Sequence, residues 1–152
     1  MRRIALLALL ALAAVGLVAC SSADEADEGT EMGVWGYVAS AENAKLELAA
    51  GQPGATSLTI DRVVAPEDAW IVVHIDEDGM PGERVGLAGV EKGETTSLEV
   101  PFDTDAASVI VAVHADRGEK GEFDFDMEAK ETSPDRPFFV DAEELARVVT
   151  VR

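Results

Sequence analysis

Thiols and basic side chains are what this 152-residue chain has least of. Its single cysteine, Cys20, rules out an internal disulfide; once that sulfur is spent, no thiolate nucleophile or thiolate metal ligand remains. Lysine and arginine together number 12 against 30 aspartates and glutamates, a formal net charge of −18. Phosphate contacts need basic side chains, so the balance argues against nucleic-acid binding and disfavours an extensive docking face for anionic lipid. Cations, cationic polymers and plain solubility are the readings it permits. A G-x-S-x-G elbow, an H-E-x-x-H zinc motif and a phosphate loop are also missing. Carboxylate pairs abound, but in so acidic a chain they single out no glycosidase chemistry. No catalytic residue is assigned, and neither an enzyme nor an organic cofactor is expected.

What is present begins with MRR and the run IALLALLALAAVGLVA. Arg2 and Arg3 form a positive n-region, and the apolar run over residues 4–19 is shorter than the roughly 18 residues of a spanning helix. The LVAC tetrad, Leu17 to Cys20, resembles a bacterial lipobox. That resemblance implies a signal peptide over 1–19, cleavage before Cys20 and lipid on its sulfur. The chain would then be secreted and held to the cell membrane, its domain on the extracytoplasmic side. An ordinary signal peptide and an uncleaved anchor are the alternatives. Each buried methylene contributes about 0.8 kcal/mol, so stable anchoring needs more than one acyl chain. Without Arg2 and Arg3 the mature chain carries 10 basic and 30 acidic residues, a net charge of −20.

Residues 20–32 continue as an acidic tether, SSADEADEGTEM after the cysteine. Residues 33–56 are ambiguous. Val34, Trp35, Tyr37 and Val38 suit a first strand, and AENAKLELAA suits either a short helix or, as preferred here, a strand in which Leu46 and Leu48 alternate with charge. From Ser57 to Arg152 the pattern is β. SLTIDRVV alternates, WIVVHI and ASVIVAVHA are β-branched and almost continuously apolar, and DEDGMPG is a turn. ERVGLAGV reads as a short, glycine-marked edge strand, and VVTV at 148–151 as the last strand. DAEELA at 141–146 fits a capping box with one helical turn or an extended run equally well. Turns every 8–12 residues or so predict an all-β, immunoglobulin-like antiparallel β-sandwich of about seven strands.

The succession TSLTIDRVVAPEDAWIVVHID, PGERVG, SVIVAVHAD and GEFDFD resembles a secreted immunoglobulin-like domain family seen in halophilic archaea and some bacteria. The likeness covers residues 57–151, and the family, being of unknown function, implies no activity. In that family the loop after the second histidine is often rich in aspartate and glycine. Here it reads RGEKGEFDFD, and Arg117 and Lys120 put a cation-binding role for it in doubt.

Only two histidines occur, and both end an apolar run as V-H-x-D: His74 with Asp76, and His114 with Asp116. Residues two apart on a strand share a face. Were both strand ends to meet at one end of a sheet, two imidazoles and two carboxylates would suit Zn²⁺, Cu²⁺ or Ni²⁺. Simple packing of half-buried histidines is the competing reading. Acidic clusters at Asp76–Asp78, at Asp103 and Asp105, and over Glu122 to Glu128 raise calcium, without the spacing of an EF-hand loop. The aromatics of FDF (123–125) and PFF (137–139) suit a partner site or a plug for their own loop. The expected function is therefore an envelope-exposed lipoprotein with a non-enzymatic binding or structural domain, its partner an unidentified envelope protein or ligand. A metal- or calcium-dependent binding domain is the alternative.

Overall fold

The computed structural model describes residues 35–50 and 54–152, so the signal segment, Cys20 and the acidic tether lie outside the described residues. The ten strands among them are β1 (Tyr37–Val38), β2 (Lys45–Leu48), β3 (Ser57–Ala65), β4 (Ala69–Glu77), β5 (Met80–Val90), β6 (Gly93–Pro101), β7 (Ser108–Ala115), β8 (Phe138–Val140), β9 (Glu143–Glu144) and β10 (Ala146–Thr150). The expected all-β sandwich is present, with a higher strand count. Seven strands build two antiparallel sheets, ordered β10-β7-β4-β5 and β2-β3-β6. The excess is a small third sheet, β1-β8-β9, whose strands are too short to show an alternation in sequence. No helix among the described residues is long and apolar enough to cross a membrane.

Period-two alternation sets the core. Leu46, Leu58, Ile60, Ala65 and Val100 from one sheet pack with Ala69, Ile71, Val73, Val109, Val111, Val113 and Ala115 from the other. Most of these side chains have no solvent exposure, and burying one Val or Ile contributes about 1.5–3 kcal/mol. The ambiguous region 33–56 contributes β1 and β2, and its KLEL is a strand.

Turn chemistry fixes the ends. Asp78 and Gly79, with φ of 56° and 88°, join the paired residues Glu77 and Met80, as a two-residue hairpin of positive φ requires. β5 then runs 11 residues, longer than the short strand expected, and it lies at the sheet edge as expected. The DAEELA stretch makes no helical turn. Asp141 and Ala142 take φ of 52° and 69° and turn the chain tightly between Val140 and Glu143.

Candidate functional site

The outward faces of β4 and β7 carry Trp70, Val72 and His74 beside Ile110, Ala112 and His114. In an ordinary sandwich such a face meets water. Here Val72, Ile110 and Ala112 are buried, and His74 and His114 keep only 5 % and 2 % of their surface exposed. What covers them is the segment 116–137. It leaves the end of β7, crosses this face and returns to pair with β7 through the Ala115 N–H to Arg136 carbonyl bond and the His114–Pro137 bridge.

Two phenylalanines form the roof. Phe125 stands edge-on to His114 with ring centroids 4.8 Å apart, and Phe123 does so at 5.5 Å while also meeting Trp70 at 6.1 Å. Trp35 extends the layer from Phe125 to Phe139. The FDF aromatics therefore act as the loop's plug. Trp70 Nε1 is buried with no hydrogen-bond partner, and the Arg84 guanidinium lies 5.1 Å from the centre of the Phe123 ring.

The roof is held by one buried carboxylate. Asp135, with no exposed surface, accepts N–H bonds from Arg117 (2.8 Å) and Gly118 (3.0 Å) on one oxygen and from Asp124 (2.7 Å) on the other. Three backbone donors offset its loss of hydration. A Cβ at Gly118 would sit 2.6 Å from the Asp124 carboxylate and 2.9 Å from the Pro134 ring, so a side chain there would have to displace them. Arg117 bonds Glu67 at 2.6 Å and stacks 3.7 Å over the Tyr37 ring, and Lys120 pairs with Asp68. The two basic residues that interrupt the acidic loop thus clamp it to the β3–β4 turn.

The histidines meet, although their strands run in opposite directions. In register His74 faces Ile110 and His114 faces Trp70, with Val72 and Ala112 between them. The rings converge over that pair to a centroid distance of 6.1 Å. A carbonyl only accepts, so each short contact fixes a tautomer. His74 Nδ1–H donates to Gly82 O at 2.9 Å, and His114 Nδ1–H to Asp135 O at 2.8 Å. With Nδ1 protonated in each ring, the neutral form carries its lone pair on Nε2. Burial, more than any other influence, pushes the His114 pKa from 6.5 down to about 3; the carbonyl of Asp135 opposes this, and His74 adds to it. Burial also lowers that of His74, aided by the Arg84 charge.

The aspartates do not join them. Because β4 and β7 are antiparallel, their V-H-x-D endings fall at opposite ends of the sheet, and four groups at one end is not what forms. Asp76 instead accepts from Gly79 N–H (2.7 Å) and Ser108 Oγ–H (2.8 Å). Asp116 accepts from Gly121 N–H at 3.1 Å. Within the other acidic clusters, Asp105 is taken by Arg152, Asp126 by the Glu128 N–H and Asp124 by the Glu119 N–H. Among the described residues no three His, Cys, Asp or Glu side chains gather as a metal cluster.

Sequence reasoning missed Asp135 and Trp35 as parts of this layer, while alternation along WIVVHI puts Trp70 on the face of His74. Nothing in SPDRP marks its aspartate as the loop's anchor.

The model of a family described as a domain of unknown function (DUF7282) matches residues 44–152. No curated protein and no solved structure matches the chain.

Proposed function

We propose that this chain, which belongs to the DUF7282 family, is an envelope-exposed lipoprotein whose β-sandwich is a non-enzymatic binding module. The observation that carries the binding role is the composition of the roofed face. Aliphatic side chains close the opposite face of the same strands, whereas here a loop of charged residues is folded over two buried histidines. Buried polar rings contribute less to stability than aliphatic packing does, which supports a recognition role for this layer. An open cleft beside Trp70 is lined in part by the paired Asp68 and Lys120.

The order β2-β3-β6 against β10-β7-β4-β5 supports an immunoglobulin-like sandwich. The lipobox-like LVAC, followed by a tract of five acids, supports attachment through Cys20 and a tether that holds the domain off the membrane. Fractionation tests the tether. Mass spectrometry of the membrane fraction should find acylated Cys20, and Cys20→Ser should release the chain into the soluble extracytoplasmic fraction. An unmodified Cys20 in membrane-bound protein sinks the anchoring.

A further inference from the structure

We propose that His74 and His114 bind one monovalent soft metal ion, Cu⁺ in its chemistry, between their two Nε2 atoms. The proposal rests on reading the roofed face as the binding layer, and it is independent of the lipid anchor.

Orientation is the first support. A metal-ligating histidine characteristically donates its other ring N–H to a carbonyl or carboxylate, which fixes the tautomer and aims the lone pair. Both rings have this arrangement. Their anchors also lie on outer sides: Gly82 is beyond His74 toward the β4–β5 turn, and Asp135 is beyond His114 toward the Asp116 end. With Nδ1 anchored outward, the opposite Nε2 edge of each ring is the one left to face the other ring.

Distance is the second. A metal about 2 Å from each ring nitrogen, on the far side of rings about 1 Å in radius, separates two opposed centroids by roughly 6 Å. The observed separation is 6.1 Å.

Charge selects the ion. Zn²⁺ takes four ligands, and this pair offers two neutral ones, with Asp76 and Asp116 engaged at opposite ends of the sheet. The desolvation cost of an ion grows with the square of its charge, and Phe123 and Phe125 bring apolar rings against His114 on this face. The Arg84 guanidinium adds positive potential and penalises a dication further. A d¹⁰ monocation is content with two imidazole nitrogens in line. It is also the least hydrated candidate.

The test uses the full chain carrying Cys20→Ser, which removes the only thiol, with Ag⁺ as a redox-inert stand-in for Cu⁺. Native mass spectrometry should show a bound Ag⁺ that is lost in His74→Gln and in His114→Gln. Both Nε2 resonances of the unsubstituted histidines should move on adding Ag⁺, while Zn²⁺ at the same concentration moves neither. Unchanged Nε2 resonances, equal Ag⁺ binding by His74→Gln, or a matching response to Zn²⁺ would each overturn the proposal. The resonance measurement needs no histidine variant, so it stands even if His114→Gln fails to fold. Failure here leaves the Cys20 fractionation result unaffected.

Discussion

The two faces of strands β4 and β7 are closed in different ways. Inward, Ile71, Val73, Val109, Val111 and Val113 meet a second sheet and form a dry aliphatic core. Outward, Trp70 and His114 meet a loop while His74 bonds a β5 carbonyl and leans on His114, so the contacts are aromatic edges and backbone carbonyls. Burial is nearly as complete on both sides, yet only one side carries atoms able to ligate or titrate. The two faces therefore differ in the kind of side chain they bury. Disturbing the core should unfold the whole chain, whereas disturbing the roof should free a loop from a sheet that stays intact.

Ile71→Ala should be the most damaging change, costing about 2–5 kcal/mol in urea unfolding by cavity formation, with every protected amide exchanging faster. Asp135→Ala removes the acceptor for three backbone donors and should cost about 2–3 kcal/mol. Its signature is regional: the amides of Gly118 and Asp124 exchange faster than those of β4 and β7. Uniform acceleration in that variant would erase the distinction between the faces.

Acidification provides a third contrast. Folded His114 stays neutral down to about pH 3, while in the unfolded chain it takes up a proton near 6.5. Below pH 6.5 the unfolded state therefore binds the extra proton, and stability falls toward pH 3 with a slope of up to about 1.4 kcal/mol per unit. His74, lowered in the same direction, adds to the loss. Glu144, whose pKa burial raises, contributes the opposite sign, as does relief of the acidic chain's self-repulsion. The difference between the wild-type and His114→Gln stability curves isolates the histidine. Parallel curves from pH 7 to 4 would remove it from the account.

The smallest effect is outside both faces. Ala142 occupies φ of 69°, where a Cβ is strained, so Ala142→Gly should raise stability by about 0.5–1 kcal/mol in thermal unfolding. No gain would mean that the β8–β9 turn is relaxed as it stands.

Much of the sandwich was legible in sequence because β-branched runs and alternation are local signals. WIVVHI and SVIVAVHA are the neighbouring central strands, and Asp78-Gly79 writes out the turn from the first of them to β5. The short β1, β8 and β9 were not legible, since two or three residues show no period. The repeated V-H-x-D invited a site of four groups at one strand end, and antiparallel pairing separates the aspartates. The histidines were still brought together, because the small Ala112 and Val72 lie between them and the rings lean inward. That convergence depends on Asp135, 21 residues from His114, and no local pattern reports it.

The central claim is that both imidazoles are neutral, anchored through Nδ1–H and open at Nε2. A two-bond ¹H–¹⁵N correlation spectrum of the histidine rings at pH 6 reads this directly. The account requires, for both His74 and His114, a protonated Nδ1 and an unprotonated Nε2; a charged ring or an Nε2–H tautomer at either residue contradicts it.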